Sequence, residues 1–282
     1  MKVFRHIISR LAARYDEREA RALARLLLEE RCSLSMAAIA MDADEALTDN
    51  QKALLQADVL RLEQGEPLQY IIGKQAFAGC TFCIGPAVLI PRPETEQLVG
   101  IISSDLRWRR PGIRMLDIGT GSGCIAVSLA RKFPQAHVSA WDVSPEALQV
   151  ARANAALNQA AVDFSHQDAL RPPADSDLWD LIVSNPPYVC LSERSSMEPH
   201  VADHEPPLAL FVPDDDPLLF YRAIASYAAR ALRPAGMLYF EINPLFAADM
   251  QALLSADSFQ DIELMDDLYG KQRFIKCHKD QP

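Results

Sequence analysis

The run Ser184-Asn185-Pro186-Pro187-Tyr188 holds the residues whose types and spacing best fit chemistry. Each proline lacks a backbone N–H and has a fixed φ, so the run is stiff and rich in uncommitted carbonyls. Asn185 adds a side-chain acceptor. A rigid cluster of acceptors suits a planar NH2 group. The plainer reading is a Pro-Pro loop that ends a strand. The apolar run Asp180-Leu181-Ile182-Val183 directly before it reads as a buried strand. The cluster therefore lies at a strand's carboxyl end, where open α/β sheets bind ligands.

A second set of elements must supply whatever reacts with that NH2 group. Met115-Leu116-Asp117-Ile118 reads as a buried strand and residues 124–133 as an apolar helix, joined by Gly119-Thr120-Gly121-Ser122-Gly123. A glycine-rich turn from strand to helix lets a ligand approach the backbone and the helix N-terminus. The next strand, 138–141, ends in Asp142, placed as an acid that holds ribose hydroxyls. Together these features point to a nucleoside-containing ligand. A dinucleotide G-x-G-x-x-G would need glycine where Cys124 stands, no G-K-[ST] follows for a P-loop, and Ser122 lacks the G-x-S-x-G setting of a nucleophile. The tighter G-x-G-x-G fits S-adenosyl-L-methionine (SAM), which has no pyrophosphate to cradle. A third strand over 162–165 leads to Asp168, which either reaches an adenine amino group or forms a turn.

The rest of the chain frames these motifs. It has 282 residues, 49% hydrophobic and 23% charged, with a net charge of −10. Such an acidic chain is poorly matched to nonspecific nucleic-acid or anionic-membrane binding. No apolar run approaches the ~20 residues of a membrane span. The charged N-terminal residues lack a signal-peptide core, so a cytoplasmic location is expected. Cys80-Thr81-Phe82-Cys83 is an isolated C-x-x-C without a second ligand pair, and the cysteines are expected to be reduced small hydrophobes with no metal.

Helical periodicity covers residues 4–31, with Phe4, Ile7, Ile8 and Leu11 on one stripe and Asp16 as an N-cap. A short helix is expected over 36–41, and Thr48-Asp49-Asn50-Gln51 has capping-box form for another that stops at Gly65. Domains are expected at 1–67 (a helical bundle), 68–90 (a linking β-hairpin drawn from runs such as 81–84 and 88–90) and 91–282. Pro91-Arg92-Pro93-Glu94-Thr95-Glu96 starts a helix, with its acids in the first turn, and is a candidate loop near the cofactor. The Pro-rich segment up to Pro217 reads as a functional loop or flap. A helix over 218–232, strands near 237–241, 259–264 and 273–277, and a helix over 245–254 complete the series. The last two strands are expected as an antiparallel hairpin at the sheet edge.

These residues resemble the PrmC/HemK family of N5-glutamine methyltransferases. The likeness rests on Gln69-Tyr70-Ile71-Ile72-Gly73, on Val88 to Glu96 with its Pro-Arg-Pro-Glu-Thr-Glu, on Asp117 to Gly123, on Asn185-Pro186-Pro187-Tyr188, and on Asp267-Leu268-Tyr269-Gly270 with Arg273. It spans essentially the whole chain. It implies a Rossmann-like α/β methyltransferase fold with a mostly parallel seven-stranded sheet, an N-terminal helical bundle and a linking hairpin. The implied cofactor is SAM, held by Gly119, Thr120, Gly121, Ser122, Gly123, Asp142, Asp168, Ala169 and Asn185. The implied reaction is methylation of the glutamine of a Gly-Gly-Gln loop in peptide chain release factors, which the helical bundle helps to grip. Asn185, Pro186 and Tyr188 would be catalytic, and Pro187 would join them in binding substrate.

Two stretches depart from the family. Val212 to Pro217 replaces a Gly-Gly-x-Asp-Gly turn, and Glu241-Ile242-Asn243 replaces Glu-Ile-Gly. Rival expectations are a ribosomal-protein glutamine as substrate, an adenine-N6 nucleic-acid methyltransferase, and a non-catalytic SAM-binding adaptor. The acidic charge argues against the second. Intact Asn185 and glycines argue against the third.

Overall fold

The computed structural model describes residues 2–41, 43–174 and 178–280. Contacts divide the chain into two units: Met1–Gly73 with Glu198–His204, and Lys74–Met197 with Glu205–Pro282.

The first unit is helical. It contains α1 (Lys2–Leu11), α2 (Glu17–Cys32), α3 (Met36–Ala40), α4 (Asp49–Glu63) and α5 (Leu68–Ile72). The apolar stripes meet in one core that includes Phe4, Ile7, Leu11, Leu27, Val59 and Leu62. Caps set the boundaries. The Asp16 side chain accepts the Glu19 N–H at 2.8 Å, and Thr48 and Gln51 form a complete capping box. Ser33 closes α2 in the left-handed region at φ 56°. Buried carboxylates are paired here: Arg31 Nε meets Asp58 Oδ2 at 2.7 Å, and Asp44 Oδ2 accepts the Phe4 N–H at 3.0 Å.

The second unit begins with a hairpin, β1 (Lys74–Phe77) and β2 (Cys80–Cys83), followed by α6 (Pro93–Ser104), β3 (Arg114–Ile118), α7 (Cys124–Lys132), β4 (His137–Asp142), α8 (Pro145–Leu157), β5 (Val162–His166) and β6 (Trp179–Ser184). Then come β7 (Val189–Cys190), α9 (Pro199–His204, grouped with the helical unit), α10 (Pro207–Leu210), β8 (Phe211–Val212), α11 (Leu219–Ala231), β9 (Leu232–Glu241), α12 (Ala247–Ala256), β10 (Phe259–Asp266) and β11 (Gln272–Lys279).

The main sheet has seven strands in the order β10-β11-β9-β6-β3-β4-β5. β9, β6, β3, β4 and β5 run parallel, while β11 and β10 are antiparallel to their neighbours. β6 is buried throughout, as befits a central parallel strand covered on both faces. The chain winds outward from β3 through β4 to β5, then returns to β6 on β3's other side. β3 and β6 thus flank the topological switch point, and the glycine turn and Asn185 leave the sheet side by side there.

Two expectations change. The hairpin is formed by 74–77 with 80–83, while 68–72 is helical and 88–90 contains no strand. Ala78 (φ 50°) and Gly79 (φ 79°) make its two-residue turn, of the left-handed kind that suits hairpin twist. Lys74 and Gln75 hid the first strand, because that strand is largely solvent-facing. The Pro-rich segment is not one irregular loop: it carries β7, α9, α10, β8 and a 3-10 helix over Leu191–Ser196, and β7 pairs with β8 in parallel. Strands of two residues are too short to leave a periodic signal. Among the described residues no helix is long and apolar enough to cross a membrane, and no cluster of metal-ligating side chains occurs. The cysteines are free, with Cys83 exposed rather than packed.

Candidate active site

Backbone hydrogen bonds fold the glycine turn onto the end of β4. Gly119 N–H and Thr120 N–H both donate to the Trp141 carbonyl at 2.9 Å, Gly121 N–H donates to Asp142 Oδ2 at 2.8 Å, and Gly123 N–H donates to the Thr120 carbonyl at 2.8 Å. With these amides committed internally, the turn offers space rather than a phosphate cradle. Gly119 (φ 75°) and Gly121 (φ 54°) need their conformation, and a Cβ on either would meet only open space. Gly123 (φ 82°) shares that left-handed backbone and also serves packing. A Cβ there would stand 3.2 Å from Ala151 Cβ, and Gly123 does not line the cavity described below.

Three acids surround this turn. Asp142 also accepts the Ser144 N–H at 2.9 Å; burial raises its carboxyl above the ordinary range, and its backbone hydrogen bonds oppose that. Each of its oxygens keeps a second lone pair for a ligand hydroxyl. Asp117 is buried beneath the turn, where Oδ2 accepts from Thr120 Oγ1 at 2.6 Å and from the Ala126 N–H at 3.2 Å. Burial pushes it up to about 7. Asp168 accepts the Leu170 N–H at 2.8 Å, an aspartate turn, and lines the cavity together with Ala169.

On the other side of the switch point, Ser184 pairs with Ile118 in register, and its hydroxyl donates to the Ile118 carbonyl at 2.6 Å. Asn185 follows. Its Nδ2 donates to Thr95 Oγ1 at 3.1 Å, Thr95 Oγ1 donates to Glu241 Oε2 at 2.7 Å, and the Tyr188 hydroxyl donates to Glu241 Oε1 at 3.1 Å. The amide orientation is thus assigned by its partner, and Oδ1 is left for the cavity. Pro186 and Pro187 line the cavity with Asn185. Tyr188 does not: burial and then the Glu241 charge raise its phenol, which stays protonated and bonded to Glu241. The segment behind it is fastened at both departures from the family pattern. Asn243 Nδ2 donates to the Tyr188 carbonyl at 3.2 Å and to Glu193 Oε1 at 3.1 Å, and Asp214 accepts the Ser192 N–H at 2.9 Å.

The cavity between the two motifs measures about 310 Å³. Gly119, Thr120, Gly121, Ser122, Asp142, Asp168, Ala169 and Asn185 line it, with Leu89, Ile125, Val143, Phe220 and Ile224 as apolar wall. Sequence reasoning missed two supports. Glu205, whose side chain is fully buried, accepts the Ile90 N–H at 3.1 Å and pairs with Arg92, pinning the loop that carries Ala87 to Arg92 along the cavity. Thr95, at the cavity wall, holds Asn185 and is itself held by Glu241, which does not line the cavity. The Pro-Arg-Pro-Glu-Thr-Glu run signalled a functional loop, but nothing local connected Thr95 to Asn185.

Comparison with known proteins fits this geometry. Residues 2–73 match the model of the PrmC N-terminal domain, and residues 97–199 that of the methyltransferase small domain. Over 266 residues the chain is 43% identical to the release factor glutamine methyltransferase of Bacteroides thetaiotaomicron, covering 94% of this chain and 95% of that one. The chain belongs to the release factor glutamine methyltransferase family. Its relative in Flavobacterium psychrophilum is 41% identical over 273 residues, 96% of each chain. The fold is also that of a methyltransferase from Pyrococcus furiosus (TM-score 0.53, 18% identity, 83% of this chain and 100% of that one). A T. thermophilus 16S rRNA methyltransferase in complex with AdoMet and guanosine shares it too (TM-score 0.54, 19% identity, 74% of this chain and 50% of that one).

The chain is therefore a methyltransferase of the family, and its cofactor is SAM. The site fits that group. The cavity volume lies within the ~300–1,000 Å³ of small-molecule sites. Asp142 offers ribose acceptors, and the glycine turn leaves room while the amides of Gly119, Thr120, Gly121 and Gly123 are committed internally.

Proposed function

We propose that this chain methylates the side-chain amide nitrogen of the glutamine in the Gly-Gly-Gln loop of peptide chain release factors. One observation carries the reading: Asn185 has its NH2 tied to Thr95, so its oxygen remains for the cavity beside the SAM site. Asn185 Oδ1 and the Pro186 carbonyl then accept the two N–H groups of a primary amide. Bound SAM supplies an electrophilic methyl on a sulfonium centre. Gly119 and Gly121 admit its methionine part, Asp142 takes the ribose hydroxyls, and Asp168 and Ala169 border the adenine.

An amide nitrogen is a weak nucleophile because its lone pair is delocalised into the carbonyl. Two acceptors on its hydrogens hold it in line with the methyl and favour the tetrahedral character that develops at nitrogen as its bond to the methyl forms and the methyl–sulfur bond breaks. The surplus proton is acidic once the new C–N bond makes the nitrogen cationic. It leaves along a hydrogen bond already made to Asn185 or Pro186. The family relatives' names and the matched N-terminal domain support a release factor as the protein that carries the glutamine. The test is mass spectrometry of release factors incubated with enzyme and SAM. One methyl on the Gly-Gly-Gln glutamine is expected; an unmodified glutamine with SAM bound overturns the reading.

A further inference from the structure

The hydrogen bonds behind Asn185 have a direction, and one carboxylate sets it. Thr95 has a single hydroxyl proton, and that proton goes to Glu241 Oε2 at 2.7 Å. Its lone pairs therefore face Asn185 and accept the Nδ2–H at 3.1 Å. Thr95 and Glu241 are 3% and 1% exposed, so water does not substitute for either partner. We infer that Glu241, acting through Thr95, determines which end of the Asn185 amide faces the acceptor. This rests on the reading that Asn185 Oδ1 receives the glutamine N–H.

The direction holds while Glu241 is ionised, because an ionised carboxylate only accepts. It then receives both Thr95 Oγ1–H and Tyr188 O–H. When Glu241 takes a proton on Oε2, that oxygen donates to Thr95. The Thr95 proton then turns toward Asn185, and the amide is best satisfied with Oδ1 facing Thr95 and NH2 facing the cavity. Two NH2 groups then meet, and the acceptor is lost.

The groups facing Glu241 come from several elements. Thr95 and Glu94 lie on α6, Tyr188 follows β6, Arg273 stands on β11, and Tyr221 on α11 donates its hydroxyl to the Glu241 carbonyl at 3.0 Å. Burial raises the Glu241 carboxyl, with Glu94 in the same sense, while Thr95, Tyr188 and Arg273 oppose it. The switch thus lies above the ordinary glutamate range. Glu241 does not line the cavity, and Thr95, which does, is bonded to both Asn185 and Glu241, so both are assigned as positioning residues.

The experiment measures kcat, SAM Kd and the pH dependence of kcat for the full chain with a release factor, in wild type, Thr95→Val, Thr95→Ser and Glu241→Gln. Thr95→Val keeps the shape but loses the hydroxyl. Its kcat should fall ~10–100-fold, the scale of a lost second-layer partner, with SAM Kd within about twofold. Thr95→Ser should recover most of the lost rate. Wild-type kcat should fall on the acid side with one proton, and Glu241→Gln should remove that limb. Wild-type turnover in Thr95→Val, or an unchanged acid limb in Glu241→Gln, overturns the inference. Failure of the wild type itself to methylate the release factor instead overturns the functional reading.

Discussion

The carboxylates buried in the helical unit and the three at the centre of the site are treated in opposite ways, although Glu205 elsewhere in the second unit is paired with Arg92. In the helical unit Asp58 sits against the Arg31 guanidinium at 2.7 Å. Asp44 is buried as well, which raises its carboxyl, but donated hydrogen bonds, the Phe4 N–H among them, outweigh this and hold it below the ordinary range. At the site in the second unit, Asp117, Asp142 and Glu241 have hydroxyl and backbone N–H partners. Among the described residues none of the three has a lysine or arginine at ion-pair distance. All three are raised. The helical unit uses carboxylates as fixed charges that join elements. The site keeps them as tunable acceptors, where hydrogen-bond direction matters more than charge.

The largest expected effect separates reaction from stability. Asn185→Ala removes an acceptor that serves the transition state, so kcat should drop by ~10²–10³-fold or more, with thermal stability and SAM affinity nearly unchanged. Calorimetry with SAM alongside a methyl-transfer assay reads all three. Unchanged turnover would remove Asn185 from the mechanism.

The converse applies in the helical unit. Arg31→Met leaves Asp58 buried without its cation and also frees the Ile71 carbonyl, which Arg31 Nη2 holds at 2.6 Å. Stripping one partner from such a pair costs about 3 kcal/mol. Denaturant unfolding should show that loss. The kcat of the folded fraction at saturating substrates should stay within about twofold.

Asp117 gives the comparison a pH signature. Its folded value of about 7 lies above the unfolded 3.8. Below 3.8 both states hold the proton. Between 3.8 and about 7 the unfolded state has lost it and the folded state has not, so stability falls as pH rises, with a limiting slope of about 1.4 kcal/mol per pH unit. Above about 7 both states are ionised and the loss is complete. Asp117→Asn should flatten this part of the Tm-against-pH curve. Parallel curves for the two proteins would mean that Asp117 does not hold a proton in the folded chain.

The same contrast explains what could be read from sequence. The caps at Asp16 and Thr48, the glycine turn and the Asn-Pro-Pro-Tyr cluster are local, and each is spelled by adjacent residues whose backbone chemistry is fixed. The parallel sheet was legible from apolar runs alternating with helical stripes. Thr95 meets Asn185 across 90 residues and Glu241 across 146, and Arg92 meets Glu205 across 113. No spacing rule reaches that far, because only the packing of α6 and its flanking loops against the sheet brings them together. Gly123 shows the opposite limit: its motif marks it as a ligand glycine, but its left-handed backbone and the approach of Ala151 are what require it.

The smallest effect concerns Asp142, whose oxygens are shared between the fold and the ligand. Oδ2 holds the Gly121 N–H and Oδ1 the Ser144 N–H. An asparagine there presents one acceptor and one NH2, so one of these two amides loses its partner and a lone pair for the ribose is lost with it. Helix α8 keeps its own cap, since the Ser144 hydroxyl accepts the Ala147 N–H at 3.1 Å, and stability should change little. SAM affinity should weaken about tenfold, about 1.4 kcal/mol. The kcat at saturating SAM should be nearly retained, because Asp142 touches neither Asn185 nor the Thr95–Glu241 pair. Titration calorimetry with SAM decides this. A Kd equal to that of wild type would place the ribose elsewhere in the cavity, and Asp142 would join Asp58 as an acid that serves the fold alone.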